Sequence, residues 1–167
     1  MTRTAAFAAA YALLRAAADV ADHWAQSEVC ALTKGATDAA PVTYTDEKTG
    51  TETVFGTSGG IRSCGWHVTT YTATQGLALL GGARLLGVRL HPAAVAGALA
   101  VSGLTHYAAD RRVPGGLLHR LATAAGKEPF YKMADHGING AYLLDQAWHH
   151  GWETLAALIA AAGAEQR

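Results

Sequence analysis

Apolar residues recur at three- and four-residue intervals through most of the chain, the period of helices with one buried face. Phe7, Tyr11, Leu14 and Ala18 mark such a face in a first stretch from about Thr4 to Leu32, rich in Ala and Leu and stopped at Lys34-Gly35. A second stretch runs from about Ile61 to Val88 and weakens at Gly81-Gly82. A third begins at Pro92, a residue suited to the first turn of a helix, and reaches about Arg112, where Pro114-Gly115-Gly116 breaks it. Leu117 to Ala125 reads as a short helix closed by Gly126, and Phe130 to His136 as a further helical turn. The last long helix spans about Ala141 to Ala162, with Asn139 as its candidate N-cap and Gly163 beyond its end.

The stretch from 36 to 60 has another texture: Thr, Gly, Ser and charged residues replace the apolar period. Val42-Thr43-Tyr44-Thr45 and Thr51-Glu52-Thr53-Val54-Phe55 have strand composition, and Asp46-Glu47-Lys48-Thr49-Gly50 between them is turn-like, which predicts a hairpin. The expected fold is therefore all-α. It is a bundle of four main helices plus a short connecting helix, one domain over 1–167, with a small hairpin-like insert at about 36–60 that is either a lid or a surface excursion.

Composition narrows the class. Hydrophobic residues make up 50% of the 167 and charged residues only 16%, with a formal net charge of zero, so no basic field argues for nucleic acid. Arg111, Arg112 and Arg120 form a local basic patch that reads as a solvated helix end, with contact to phosphate as the alternative. Two cysteines, Cys30 and Cys64, make no disulfide framework and read as reduced thiols. The N-terminus superficially resembles a signal peptide, but Arg15 interrupts its apolar run and Asp19 and Asp22 follow, so it reads as a mature helix. The expected location is cytoplasmic or peripheral at a membrane. Integral insertion is the alternative, carried by Pro92–Ala109 and, less well, by Val68–Leu90 with its Gln75, Arg84 and Arg89.

What changes the picture is polar chemistry inside the apolar helices. His106–Asp110 and Asp145–His149 are each spaced i,i+4, so each pair shares a helix face. Apolar helices exclude such groups from buried faces unless they have partners. Asp22, Gln26 and His67 add to the set, with His67 expected at a helix start and Tyr142, Asp145, Gln146 and His149 along one face of the last helix. Asp19 has Arg15 as a partner one turn earlier. Imidazoles and carboxylates on converging helices are the material of a divalent-metal or acid/base site. Nucleotide-binding loops, nucleophile elbows, zincin helices and zinc-finger spacings are absent from the sequence.

The order Asp22…Gln26, His67, His106-x3-Asp110 and Asp145-Gln146-x2-His149 resembles an uncharacterised bacterial family of helical proteins, a domain of unknown function with many predicted membrane members. Asp22-His23-Trp24-x-Gln26…Lys34-Gly35, His67-Val68-x-Thr70-Tyr71 and Leu144-Asp145-Gln146-x-Trp148-His149 are similar to its actinobacterial branch, found on phages and integrative or conjugative elements. The resemblance implies that Asp22, Gln26, Lys34, His67, His106, Asp110, Asp145 and His149 belong to one constellation. The chain departs from that family at Ala18, where a His is usual. The regulator label carried by some members finds no helix-turn-helix with a basic recognition helix here.

Two functional expectations follow. In the first, a divalent metal, zinc before others, sits on His67, His106, Asp110, Asp145 and His149 in a hydrolase of phosphoester or lipid-linked anionic substrates. There Asp22, Gln26 and Asp145 serve water positioning or base roles, and Lys34 is either an anion contact or plain surface charge. In the second, the protein is a non-enzymatic accessory or regulatory protein of a mobile element, and the His/Asp cluster is a hydrogen-bond network fixing helix register.

Overall fold

The computed structural model describes residues 2–135 and 137–164. It is predominantly helical, with a single two-stranded sheet among the described residues. The helices are α1 (Arg3–Val20), which continues into a π-helical turn at Ala21–Ala25, α2 (Glu28–Thr33), α3 (Thr57–Leu85), α4 (Pro92–Asp110), α5 (Leu117–Ala124), α6 (Glu128–Tyr131) and α7 (Gly140–Ala162). The strands are β1 (Val42–Thr45) and β2 (Glu52–Phe55).

Most expected elements stand where the pattern put them. The first does not run unbroken to Leu32: Gln26 leaves the helical region at φ −65°, ψ 125°, and Ser27 caps α2 by accepting from the Cys30 N–H at 3.4 Å. α3 starts at Thr57 rather than Ile61, so His67 lies in its third turn and not at its start. Asn139 caps α7 as expected, its Oδ1 accepting from the Tyr142 N–H at 3.0 Å. The expected turn at 130–136 is α6, shorter and earlier, and His136 lies outside the described residues.

β1 and β2 pair antiparallel, Val42 opposite Phe55 and Thr45 opposite Glu52. The connecting turn is built by Asp46, whose Oδ1 accepts the N–H groups of Lys48 and Thr49, both at 2.9 Å. Those bonds favour the carboxylate and hold Asp46 below the ordinary range. Gly50 closes the turn at φ +69°, a conformation that favours glycine.

The chain divides into two compact units. The first comprises Met1–Gln26, Val68–His106 and His149–Arg167, and the second comprises Ser27–His67 and Tyr107–Trp148. In the first unit the core is alanine-rich: Ala10, Leu14, Leu79, Val95, Ala98, Ala156, Ala157 and Ala160 are buried together. Small side chains let the helices come close. A Cβ on Gly82 would fall 2.4 Å from Leu13, and one on Gly103 would fall 2.8 Å from the Thr72 hydroxyl. The second unit holds the hairpin, α2, α5, α6 and the buried Cys30 and Cys64, both free thiols.

Arg3–Ala25 is the one helix among the described residues that is long and apolar enough to cross a membrane, with a mean hydropathy of 1.3 over its best window. Neither Pro92–Ala109 nor Val68–Leu90 is both long and apolar enough. Arg3–Ala25 buries Ala6, Ala10, Leu14, Ala17 and Ala18 inside the first unit and carries the ion-paired Arg15, and about two thirds of its most apolar stretch is not buried.

Burial pushes the Cys64 thiol up to about 12, with the Asp110 carboxylate adding to the shift. Cys64 should therefore resist alkylation by iodoacetamide at pH 8 in the native protein and react at once in denaturant. Mass spectrometry of pulse-labelled protein reads the difference. Leu79→Ala removes the largest aliphatic side chain buried beside Leu14 in the first core and should cost about 2–5 kcal/mol by urea denaturation.

Candidate metal centre

In the first unit α3, α4 and α7 each bury a stripe that is apolar at one end and polar at the other. On α3 the sequence Tyr71, Gln75, Leu79, Ala83 steps four residues at a time along one face, and all four are buried. On α4 the buried stripe is Val95, Ala98, Ser102, His106. On α7 it is His149, Glu153, Ala156 and Ala157, Ala160. The polar ends meet, and the π-helical turn at the end of α1 brings Asp22 to them. A π turn holds five residues where an α turn would hold fewer, and such turns recur at functional sites.

Asp22, His106 and His149 each offer a ligand atom within 4.8 Å of the others. His106 Nε2 stands 3.5 Å from Asp22 Oδ1. That is long for a hydrogen bond, but it matches the separation of about 3.4 Å between two ligand atoms on a tetrahedral ion with bonds near 2.1 Å. The two imidazoles stack with ring centroids 4.2 Å apart, and Tyr71 stacks on the other side of His106 at 3.8 Å. Both histidines are almost wholly buried, and Asp22 is partly so. This buried group of two imidazoles and one carboxylate could hold a metal ion.

Behind the rings lies a continuous polar network. Ser102 donates to Gln75 Oε1 at 2.7 Å, and Gln75 Nε2 donates to the Tyr71 hydroxyl at 3.1 Å and to the Leu14 carbonyl at 3.3 Å. Tyr71 donates to Glu153, and Glu153 is ion-paired with Arg15, which also holds Asp19. Burial raises Glu153 above the usual carboxylate range against the opposing pull of Tyr71 and Arg15. Burial, then the Glu153 charge, raises Tyr71 well above an ordinary phenol, so the hydroxyl keeps its proton.

Within the second unit Lys34, His67, Asp110, Arg112 and Asp145 interact with one another. Asp110 Oδ2 receives Lys34 Nζ at 2.5 Å and His67 Nε2 at 2.9 Å. Arg112 bonds Asp145 Oδ2 at 2.6 Å and lies 3.4 Å from Asp110 Oδ1. Lys34, allowed as a surface charge from sequence, is 4% exposed. Arg111 braces the loop after α2 by donating to the Lys34 and Ala36 carbonyls. A cavity of about 170 Å³ opens beside Arg111, Arg112, Tyr142 and Asp145. Of the face expected on α7, Asp145 is buried and Tyr142 is exposed.

Gln26 ends the π turn, its N–H bonding the Ala21 carbonyl at 3.0 Å, and its side chain is half-buried. Sequence reasoning did not single out Glu153 or the Arg15–Glu153 pair. The signal was present: Glu153 follows His149 by four residues, as His149 follows Asp145. Comparison with known proteins finds no family model, no curated protein and no solved structure that matches the chain.

Arg15→Met leaves Glu153 buried without its cation and should destabilise the protein by about 3 kcal/mol at pH 7, toward the low end for a buried pair because Arg15 is partly solvated. The loss should shrink on acidification. Glu153 has a folded pKa raised above its unfolded value, so the favourable contribution is full below about 4.3 and is lost as pH rises through the folded value. Urea midpoints of the variant measured from pH 4 to 8 should fall with rising pH more steeply than those of the wild type.

Proposed function

We propose that this protein is a metal-dependent hydrolase whose divalent ion is held by Asp22, His106 and His149. The observation that carries the reading is the meeting of two imidazoles and one carboxylate in the polar half of an otherwise apolar core. Two histidines with one carboxylate are a donor set typical of catalytic zinc, which keeps one coordination position open, and of non-haem iron. Zinc is the ion we favour. When bound, such an ion supplies Lewis acidity and acidifies a water, chemistry suited to cleaving a phosphoester or lipid-linked bond.

The chain's own residues do the rest. Tyr71 and the neighbouring histidine hold the His106 ring from both faces. The π turn sets Asp22, and Gln26, at the end of that turn, is the residue we assign to orienting water. His67, Lys34, Asp110, Arg112 and Asp145 form an ion-pair network in which two cations match two carboxylates. In this reading that network braces the second unit rather than binding metal. The resemblance to helical proteins of mobile elements agrees with a small accessory enzyme but names no substrate.

A second reading has an observation in its favour. The Ser102–Gln75–Tyr71–Glu153–Arg15 chain is a hydrogen-bonded network of the kind that fixes helix register without any metal. In that case the protein is a non-enzymatic accessory component.

Elemental analysis of protein purified without chelator separates the two. The metal reading expects about one equivalent of zinc, a melting temperature lowered by chelator, and affinity that weakens as pH drops through about 6.5, where imidazole protonates. His149→Ala and Asp22→Asn should each abolish stoichiometric zinc while the circular dichroism spectrum persists. Absence of co-purifying metal, with no melting change on adding zinc or chelator, would favour the network alone.

A further inference from the structure

We propose that Tyr71 is the positioning residue of the metal centre, fixing the His106 ring through a tether that runs to Glu153 and Arg15. This rests on the metal reading above and adds which residue gives the ligands their geometry.

The argument begins with the ring. Tyr71 is 1% exposed and lies on His106 at 3.8 Å between centroids with 29° between the planes. His106 in turn lies on His149 at 4.2 Å. Three rings are thus layered, with His106 in the middle and Tyr71 at one end. A ring in that place would slide or tilt unless its far end were held. The hydroxyl is held on two sides, donating to Glu153 and accepting from Gln75.

The tether reaches both helices that carry an imidazole, one turn from each. Glu153 is one turn after His149 on α7, and Ser102, bonded to Gln75, is one turn before His106 on α4. Arg15 ties the same carboxylate to α1, the helix that leads into Asp22. Four helix segments therefore converge on the Tyr71 hydroxyl through direct bonds or one intermediate side chain. Groups behind the ligands of a metal typically change its affinity 10–100-fold when removed.

The test is a cobalt(II) titration of the full-length protein, read by its visible absorption bands, which report ligand geometry. Tyr71→Leu removes ring and hydroxyl and should weaken cobalt binding at least tenfold and alter the bands. Tyr71→Phe restores the ring and should recover part of that loss. Leu79→Ala serves as the control for simple destabilisation: it lowers the melting temperature but should leave affinity and bands unchanged. If Tyr71→Leu does not fold, Glu153→Gln and Ser102→Ala loosen the same tether and should each weaken cobalt binding measurably. Wild-type affinity and spectrum in Tyr71→Leu, or in both substitute variants, would overturn the positioning role and leave the metal reading standing. Equal weakening by Leu79→Ala would overturn it too. A wild-type protein that binds no cobalt overturns both.

Discussion

The polar half of the first unit depends on one buried carboxylate. Glu153 sits at 1% exposure with Arg15 on one oxygen and Tyr71 on the other. Taking a carboxylate out of water costs several kcal/mol, and only a cation together with directed hydrogen bonds offsets it. That requirement is geometric. Arg15 must approach from α1, Tyr71 from α3, and both must arrive at α7 in the register that also presents His149. A slip of any of these helices by one residue rotates its side chain by about 100° and leaves the carboxylate buried with a partner missing. The interaction adds little net stability by itself. What it does is make alternative registers expensive.

Alanine makes such a core possible. A bundle of leucines would hold its helices farther apart, and short polar side chains could not meet across the gap. Here the apolar end is filled by Ala6, Ala10, Ala83, Ala98, Ala156, Ala157 and Ala160 around a few larger residues. Glycines remove the last obstruction at the contacts of Gly82 with Leu13 and of Gly103 with Thr72. Close approach at the apolar end carries along each helix to the polar end, where Ser102, Gln75 and Tyr71 bond directly. The low share of charged residues and the unusual density of alanine are two sides of the same construction.

Much of this was legible in the sequence. The 3.6-residue period located α3, α4 and α7, the strand composition located β1 and β2, and Asn139 announced its cap. Spacing alone put His106 on a face with Asp110 and His149 on a face with Asp145. Two kinds of information were not there. Local irregularity was one: nothing in Ala21–Ala25 says that the helix widens into a π turn before Gln26, yet that widening sets Asp22. Partner choice was the other. Lys34 before a glycine looks like any solvated helix end, and only the fold shows that its ammonium is buried on Asp110. Glu153 was overlooked because an isolated acid on a C-terminal helix is ordinarily exposed, although its four-residue step from His149 placed it on the buried face.

The two units differ in the charges that their own polar side chains bring together. In the second unit Lys34 and Arg112 face Asp110 and Asp145, and His67 adds a neutral or positive ring. The Lys34 ammonium is bonded to Asp110 at 2.5 Å and the Arg112 guanidinium to Asp145 at 2.6 Å. In the first unit the Arg15 charge is committed to Glu153 and Asp19, and a group that could hold a metal ion consists of Asp22 with two imidazoles. Imidazoles stacked at 4.2 Å cannot both be protonated without strong mutual repulsion. The neutral imidazole is the form that donates a lone pair to a metal.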